Sequence, residues 1–93
     1  MTMTTQEQVS TFIVLKVITP GEDIQERFNV HQPVRVVFNR ALQAVGGAGH
    51  ADQFTLEYRD QVLELDRTIG EYAHEFGWCD GTELELVPRP EVI

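Results

Sequence analysis

The sequence predicts an α+β domain in which a mixed sheet of four to five strands packs on one α-helix. Three observations predict it. Five short segments alternate apolar and polar residues or are β-branched throughout, the pattern of pleated strands. A single segment, 33–45, carries its apolar residues at helical spacing. The chain has 93 residues, 42% of them hydrophobic and 24% charged. That length suits one small core, because folding at this size buries only about 60% of the surface an unfolded chain exposes.

Residues 1–10 (MTMTTQEQVS) hold little to bury and are expected to form a mobile leader, with the domain over 11–87 and an extended tail over 88–93. Thr11 to Thr19 (TFIVLKVIT) ends at the turn dipeptide Pro20-Gly21 and is read as the first strand. Its parity places Ile13, Leu15 and Val17 inward and Phe12, Val14 and Lys16 outward. Asp23 to Val30 alternates Ile24, Glu26, Phe28 and Val30 against Gln25, Arg27 and Asn29, so it pairs with the first strand as a hairpin, Glu26 being the imperfect position. Pro33 suits the first turn of a helix, and Val34, Val37, Phe38, Ala41, Leu42 and Val45 continue its apolar stripe. Arg35, Asn39, Arg40 and Gln43 form the polar side, and Gly46-Gly47 supplies the stop. Phe54, Leu56 and Tyr58 alternate with Thr55, Glu57 and Arg59 as a third strand, and Asp60-Gln61 turns into a short fourth strand, Val62 to Leu65. Residues 66–81 sustain no period and are assigned to a loop with one helical turn near Ile69 to Ala73. Thr82 to Val87 is the last strand, and Pro88 and Pro90 keep the ladder from continuing. The first and last strands are expected side by side at the sheet centre, under the helix.

Fifteen acidic against seven basic residues give a formal charge of −8, which repels phosphate backbones and anionic head groups. Neither nucleic acid nor a membrane surface is an expected partner. The single cysteine, Cys79, excludes an intramolecular disulfide and suits the cytoplasm, the expected location. The N-terminus lacks the basic and apolar regions of a signal peptide, and no run reaches the roughly 20 apolar residues of a membrane span. His31, His50, His74 and Cys79 show no metal-ligand spacing. Gly46-Gly47-Ala48-Gly49 lacks both the preceding strand and the following Gly-Lys-Ser/Thr of a phosphate loop. Cys79 has the acidic neighbours Glu75 and Asp80 where a reactive thiol wants basic ones. Glu83 and Glu85 fall at solvent-facing strand positions that discourage edge pairing and are not a catalytic pair. No catalytic, cofactor-binding or metal residue is expected, and the chain is read as non-enzymatic. Trp78 is read as a lid on one end of the core, with an interface anchor as the alternative.

The element order, together with Arg67-Thr68-Ile69-Gly70-Glu71-Tyr72 before the last strand, resembles the ubiquitin-like β-grasp family over residues 12–87, in which an Arg-Thr-Leu-x-Asp-Tyr segment stands at the same place. The resemblance implies that the Tyr72 hydroxyl ties the crossover to backbone groups. Leu63-Glu64-Leu65-Asp66, Phe76-Gly77-Trp78 and Asp80-Gly81 are more similar still to small bacterial ubiquitin-like proteins of the DUF2604 and multiubiquitin type. Modifiers and sulfur carriers of the family end in Gly-Gly, which threads into an activating enzyme. Here the sequence ends Pro90-Glu91-Val92-Ile93 and Gly81 is its last glycine, so conjugation through Gly-Gly is not expected. Lys16, the only lysine, and the N-terminal amine would be the only acceptors for linked chains.

The apolar recognition patch of ubiquitin corresponds to Ile18, Glu57 and Val87, and the Glu57 carboxylate in its middle implies that readers of ubiquitin do not bind. The expected role is a protein-interaction module, a non-covalent adaptor or scaffold. Its partners are proteins engaged through Phe12, Val14, Lys16, Ile18 and Val87 on the open sheet face and Arg89 in the tail. Phe12 and Val14 form either such a patch or a surface covered by the leader or tail. The alternatives are a covalent modifier or sulfur carrier with an atypical terminus, partnered by an E1-like adenylating enzyme, and a small regulatory subunit of a larger multicomponent enzyme.

Overall fold

The computed structural model describes residues 11–47 and 49–89. The expected leader and the tail residues 90–93 lie outside them. Strand β1 (Phe12–Ile18) and strand β2 (Ile24–Asn29) form the antiparallel hairpin the alternation predicts, followed by helix α1 (Arg35–Ala44). A 3-10 turn (Ala51–Gln53) leads into β3 (Phe54–Tyr58) and β4 (Gln61–Val62). Helix α2 (Ile69–Phe76) precedes β5 (Thr82–Pro88). The five strands lie in the order β2-β1-β5-β3-β4, with β1 and β5 parallel at the centre and the other pairs antiparallel. The two most apolar strands therefore occupy the middle, where both neighbours complete their ladders.

The core lies between the inward face of this sheet and the helices. Leu15 and Val17 of β1, Leu84 of β5, and Val34, Val37 and Ala41 on and just before α1 are each at most 1% exposed. Glu26, the imperfect position of β2, is explained by the helix above it. Arg40 of α1 donates from Nε to Glu26 Oε1 at 3.0 Å and from Nη2 to Oε2, so the carboxylate caps the core at the sheet edge instead of interrupting it. These hydrogen bonds, and next the charge of Glu26, hold the Arg40 guanidinium above its ordinary range.

Besides β5, which runs through Pro88 paired with Phe54 where it was expected to end at Val87, three boundaries differ from expectation. Helix α1 starts at Arg35, two residues after Pro33, because its leading N–H groups are taken by the chain that follows β4. Val34 donates to the Arg67 carbonyl (2.8 Å) and Arg35 to that of Leu65 (3.0 Å), in place of a side-chain cap. Strand β4 is Gln61–Val62 where Val62 to Leu65 was expected, and the turn falls on Arg59-Asp60 instead of Asp60-Gln61. Leu63 is buried, and its N–H donates to the Leu56 carbonyl at 2.9 Å, after which the chain leaves the sheet to deliver those two carbonyls to α1. The β3–β4 connection holds both central residues, Arg59 (φ 50) and Asp60 (φ 68), in the left-handed region, as a primed two-residue hairpin turn requires.

The third difference is α2, an eight-residue helix where one turn was expected. Thr68 caps it by accepting from the Glu71 N–H at 3.0 Å, and Gly77 closes it at φ 70. Its buried residues, Ile69 and Tyr72, join the core. The Glu64 N–H donates to the Tyr72 hydroxyl at 2.7 Å, the structural role implied for this tyrosine. Trp78 is buried beside Tyr72, with Tyr58 edge-on to it at 5.3 Å between ring centroids, and so covers one end of the core as a lid does.

Candidate interaction surface

Both helices contribute to the core on one side of the sheet, and no described element packs on the other. That open face is built from the outward residues of the same strands. Strand β1 contributes Phe12, Val14, Lys16 and Ile18, of which Phe12 is 42% exposed and the other three are partly buried. Strand β5 contributes Glu83, Glu85 and Val87, β3 contributes Thr55 and Glu57, and β4 contributes Val62 at 56% exposure.

Register arranges these residues in rows across the sheet. Arg27 of β2 stands opposite Val14, and its guanidinium lies 4.6 Å over the Phe12 ring. In the next row Gln25, Lys16 and Glu83 align, with Lys16 Nζ 4.0 Å from Glu83 Oε2. The row beyond reads Ile18, Glu85, Glu57 and Val62, two carboxylates directly opposite each other between two aliphatic side chains. Glu57 Oε2 accepts from Thr55 Oγ1 at 2.9 Å, and no basic side chain among the described residues pairs with Glu57 or Glu85. A depression of about 430 Å³ opens beside Ile18 and Glu85 of this row, lined also by Tyr58, Arg59, Thr82 and Glu83.

The structure thus brings Phe12, Val14, Lys16, Ile18 and Val87 onto one face, Val87 lying opposite Thr55. Arg89 lies just past the end of β5. Its N–H donates to the Gln53 carbonyl at 2.7 Å and its Nε to that of Phe54 at 3.4 Å, so the chain here continues the β3 pairing past Pro88. Parity alone puts Glu57 and Glu85 outward, but their direct opposition depends on the β3–β5 register, which no local pattern encodes.

A second groove, about 460 Å³, lies at the sheet end between the start of β1 and α2, with Phe12, Val30, Ala73 and Trp78 along it and Cys79 exposed at its rim. The indole Nε1 of Trp78 is buried without an oxygen or nitrogen partner among the described residues. Among the same residues there is no group of three or more His, Cys, Asp or Glu arranged to hold a metal ion, and no helix is long and apolar enough to cross a membrane.

The fold superposes on solved structures over most of the chain. A ubiquitin of Caldiarchaeum subterraneum superposes with a TM-score of 0.69 at 17% identity, covering 86% of this chain and 96% of that one. The fold is the ubiquitin-like β-grasp. A designed protein based on ubiquitin gives the same TM-score at 19% identity over 88% of this chain and 94% of its own. The N-terminal ubiquitin-like domain of the 4931431F19Rik protein gives 0.65 at 19% identity, over 98% of this chain and 88% of that domain structure. At such identities the likeness is one of fold. No family model matches the sequence, and no curated protein does. Within the β-grasp, α2 occupies the crossover before β5, the segment that also carries the Arg67-to-Tyr72 run.

Proposed function

We propose that this β-grasp domain is a non-enzymatic protein-interaction module, a non-covalent adaptor or scaffold of the small bacterial ubiquitin-like kind, working in the cytoplasm. The observation that carries the reading is the open sheet face. Val14, Ile18 and Val87 are only partly buried there although they do not pack against the core, and Phe12 and Val62 are exposed beside them. Apolar side chains collected on one face on which no other described element packs, in a chain of net charge −8, are the mark of a surface that a partner completes.

The test uses tagged full-length chain recovered from its own host, analysed by intact-mass spectrometry after denaturation and by native pull-down. The expected result is an unmodified mass together with a partner that elutes under denaturing conditions and is lost with Val14→Glu or Ile18→Ser, each variant keeping its thermal transition. Adducts that survive denaturation overturn the non-covalent reading in favour of a covalent modifier served by an adenylating enzyme. Capture that both variants leave intact moves the interaction off this face.

A further inference from the structure

We infer that the open face docks a cationic segment of a partner protein, whose Arg or Lys side chain enters between Glu57 and Glu85 while aliphatic neighbours rest on Ile18 and Val62. The inference rests on the interaction-module reading and names the partner's chemistry. Charge complementarity carries it. Like charges directly opposite on neighbouring strands destabilise a sheet, yet these two carboxylates face each other at the middle of the open side. Of the cations near this row, Lys16 lies toward Glu83, Arg27 over Phe12, and Arg59, which lines the adjoining depression, 5.2 Å over the Tyr58 ring. A guanidinium or ammonium placed between the two carboxylates donates to both and removes their repulsion on binding, so the local cost carried by the free sheet is returned as affinity.

The shape fits the same occupant. The depression lined by Ile18, Arg59, Glu83 and Glu85 gives the Glu85 end of the row a concave, aliphatic wall, and Val62 stands at the other end of the row. An inorganic cation is poorly served, because no group of three or more His, Cys, Asp or Glu among the described residues is arranged to hold one. A long side chain bearing a delocalised charge spans such a row, its methylenes covering Ile18.

The experiment titrates full-length ¹⁵N-labelled chain with a synthetic peptide in which two arginines are flanked by leucines, and with the same peptide carrying glutamine for arginine. Expected are amide shifts centred on Ile18, Glu57, Val62 and Glu85 with the arginine peptide alone. Affinity should fall about tenfold in Glu57→Gln/Glu85→Gln and again in about 0.5 M salt. Glu22→Gln/Asp52→Asn, two exposed acids away from the face, removes the same charge and should change affinity less than about twofold. Equal binding of both peptides on this face overturns the cationic partner and leaves the interaction-module reading standing. Shifts of equal size in the two double variants, or shifts elsewhere on the molecule, overturn the Glu57–Glu85 seat. Binding of neither peptide overturns the inference. Shifts on the same row that depend on protein concentration alone assign the face to a second copy of this chain and also overturn it.

Discussion

A single hydroxyl does much to order the stretch between β4 and β5. Tyr72 is 1% exposed, its ring stacks on Phe76 and Trp78, and its oxygen accepts the Glu64 N–H at 2.7 Å just where the chain has left the sheet. That anchor fixes the path that brings the Leu65 and Arg67 carbonyls to the start of α1. On its outer side Arg67 lies 4.3 Å over the Tyr72 ring and donates to Glu75 at 2.9 Å, the contact that chiefly raises its pKa. Removing only the oxygen keeps the aromatic packing and leaves the Glu64 N–H without its acceptor. Tyr72→Phe is therefore expected to lower stability by about 1 kcal/mol, read as a lower urea midpoint at unchanged m. An unchanged midpoint would mean that water replaces the hydroxyl at no cost, and that the ring alone orders the crossover.

At the scale of elements, what the sequence shows and what it hides have different physical origins. β1, β2, β3, β5 and α1 are legible because each is half-buried, and burial of one face writes a period into the residues. Helix α2 is hidden by its own punctuation. Gly70 and Gly77 read as turn signals, yet Gly77 is the left-handed residue that ends the helix, and Thr68 with Glu71 three residues on is the cap that begins it. Gly70 has a further reason. Its N–H donates to the Val30 carbonyl at 2.8 Å, and a Cβ at this position would stand 3.1 Å from that same oxygen. The helix must approach β2's end backbone to backbone, a requirement that a local pattern cannot display. Alanine normally gains about 1 kcal/mol over glycine within a helix. Here Gly70→Ala is expected to lose about 1 kcal/mol instead, lowering the melting temperature by roughly 4–8 °C. A rise in melting temperature would show that α2 can slide on Val30 without loss. The candidate site divides in the same way: parity places Phe12, Val14, Lys16 and Ile18 on one face, whereas the Arg89 tether and the Glu57–Glu85 opposition come from long-range pairing.

Over the whole molecule, charge is distributed in a way that stability alone does not favour. A chain of net charge −8 gains nothing by setting two carboxylates opposite each other at the middle of its sheet, where a pair of unlike charges would strengthen the β3–β5 ladder. Reversing one sign separates folding from recognition. In Glu85→Lys the new ammonium faces Glu57 across the strands, and the net charge becomes less negative. The variant is expected to gain about 0.5 kcal/mol, seen as a higher urea midpoint. The same substitution places a cation where the partner's cation would enter, so binding of the arginine-containing peptide should fall below detection while the thermal transition is kept or raised. Proteins commonly retain such local costs where a surface must stay ready for a ligand, and stability and binding then move in opposite directions on substitution. If Glu85→Lys lowers both, the opposed carboxylates belong to the sheet's own packing; if it raises stability and leaves peptide binding intact, the partner's cation docks somewhere other than this row.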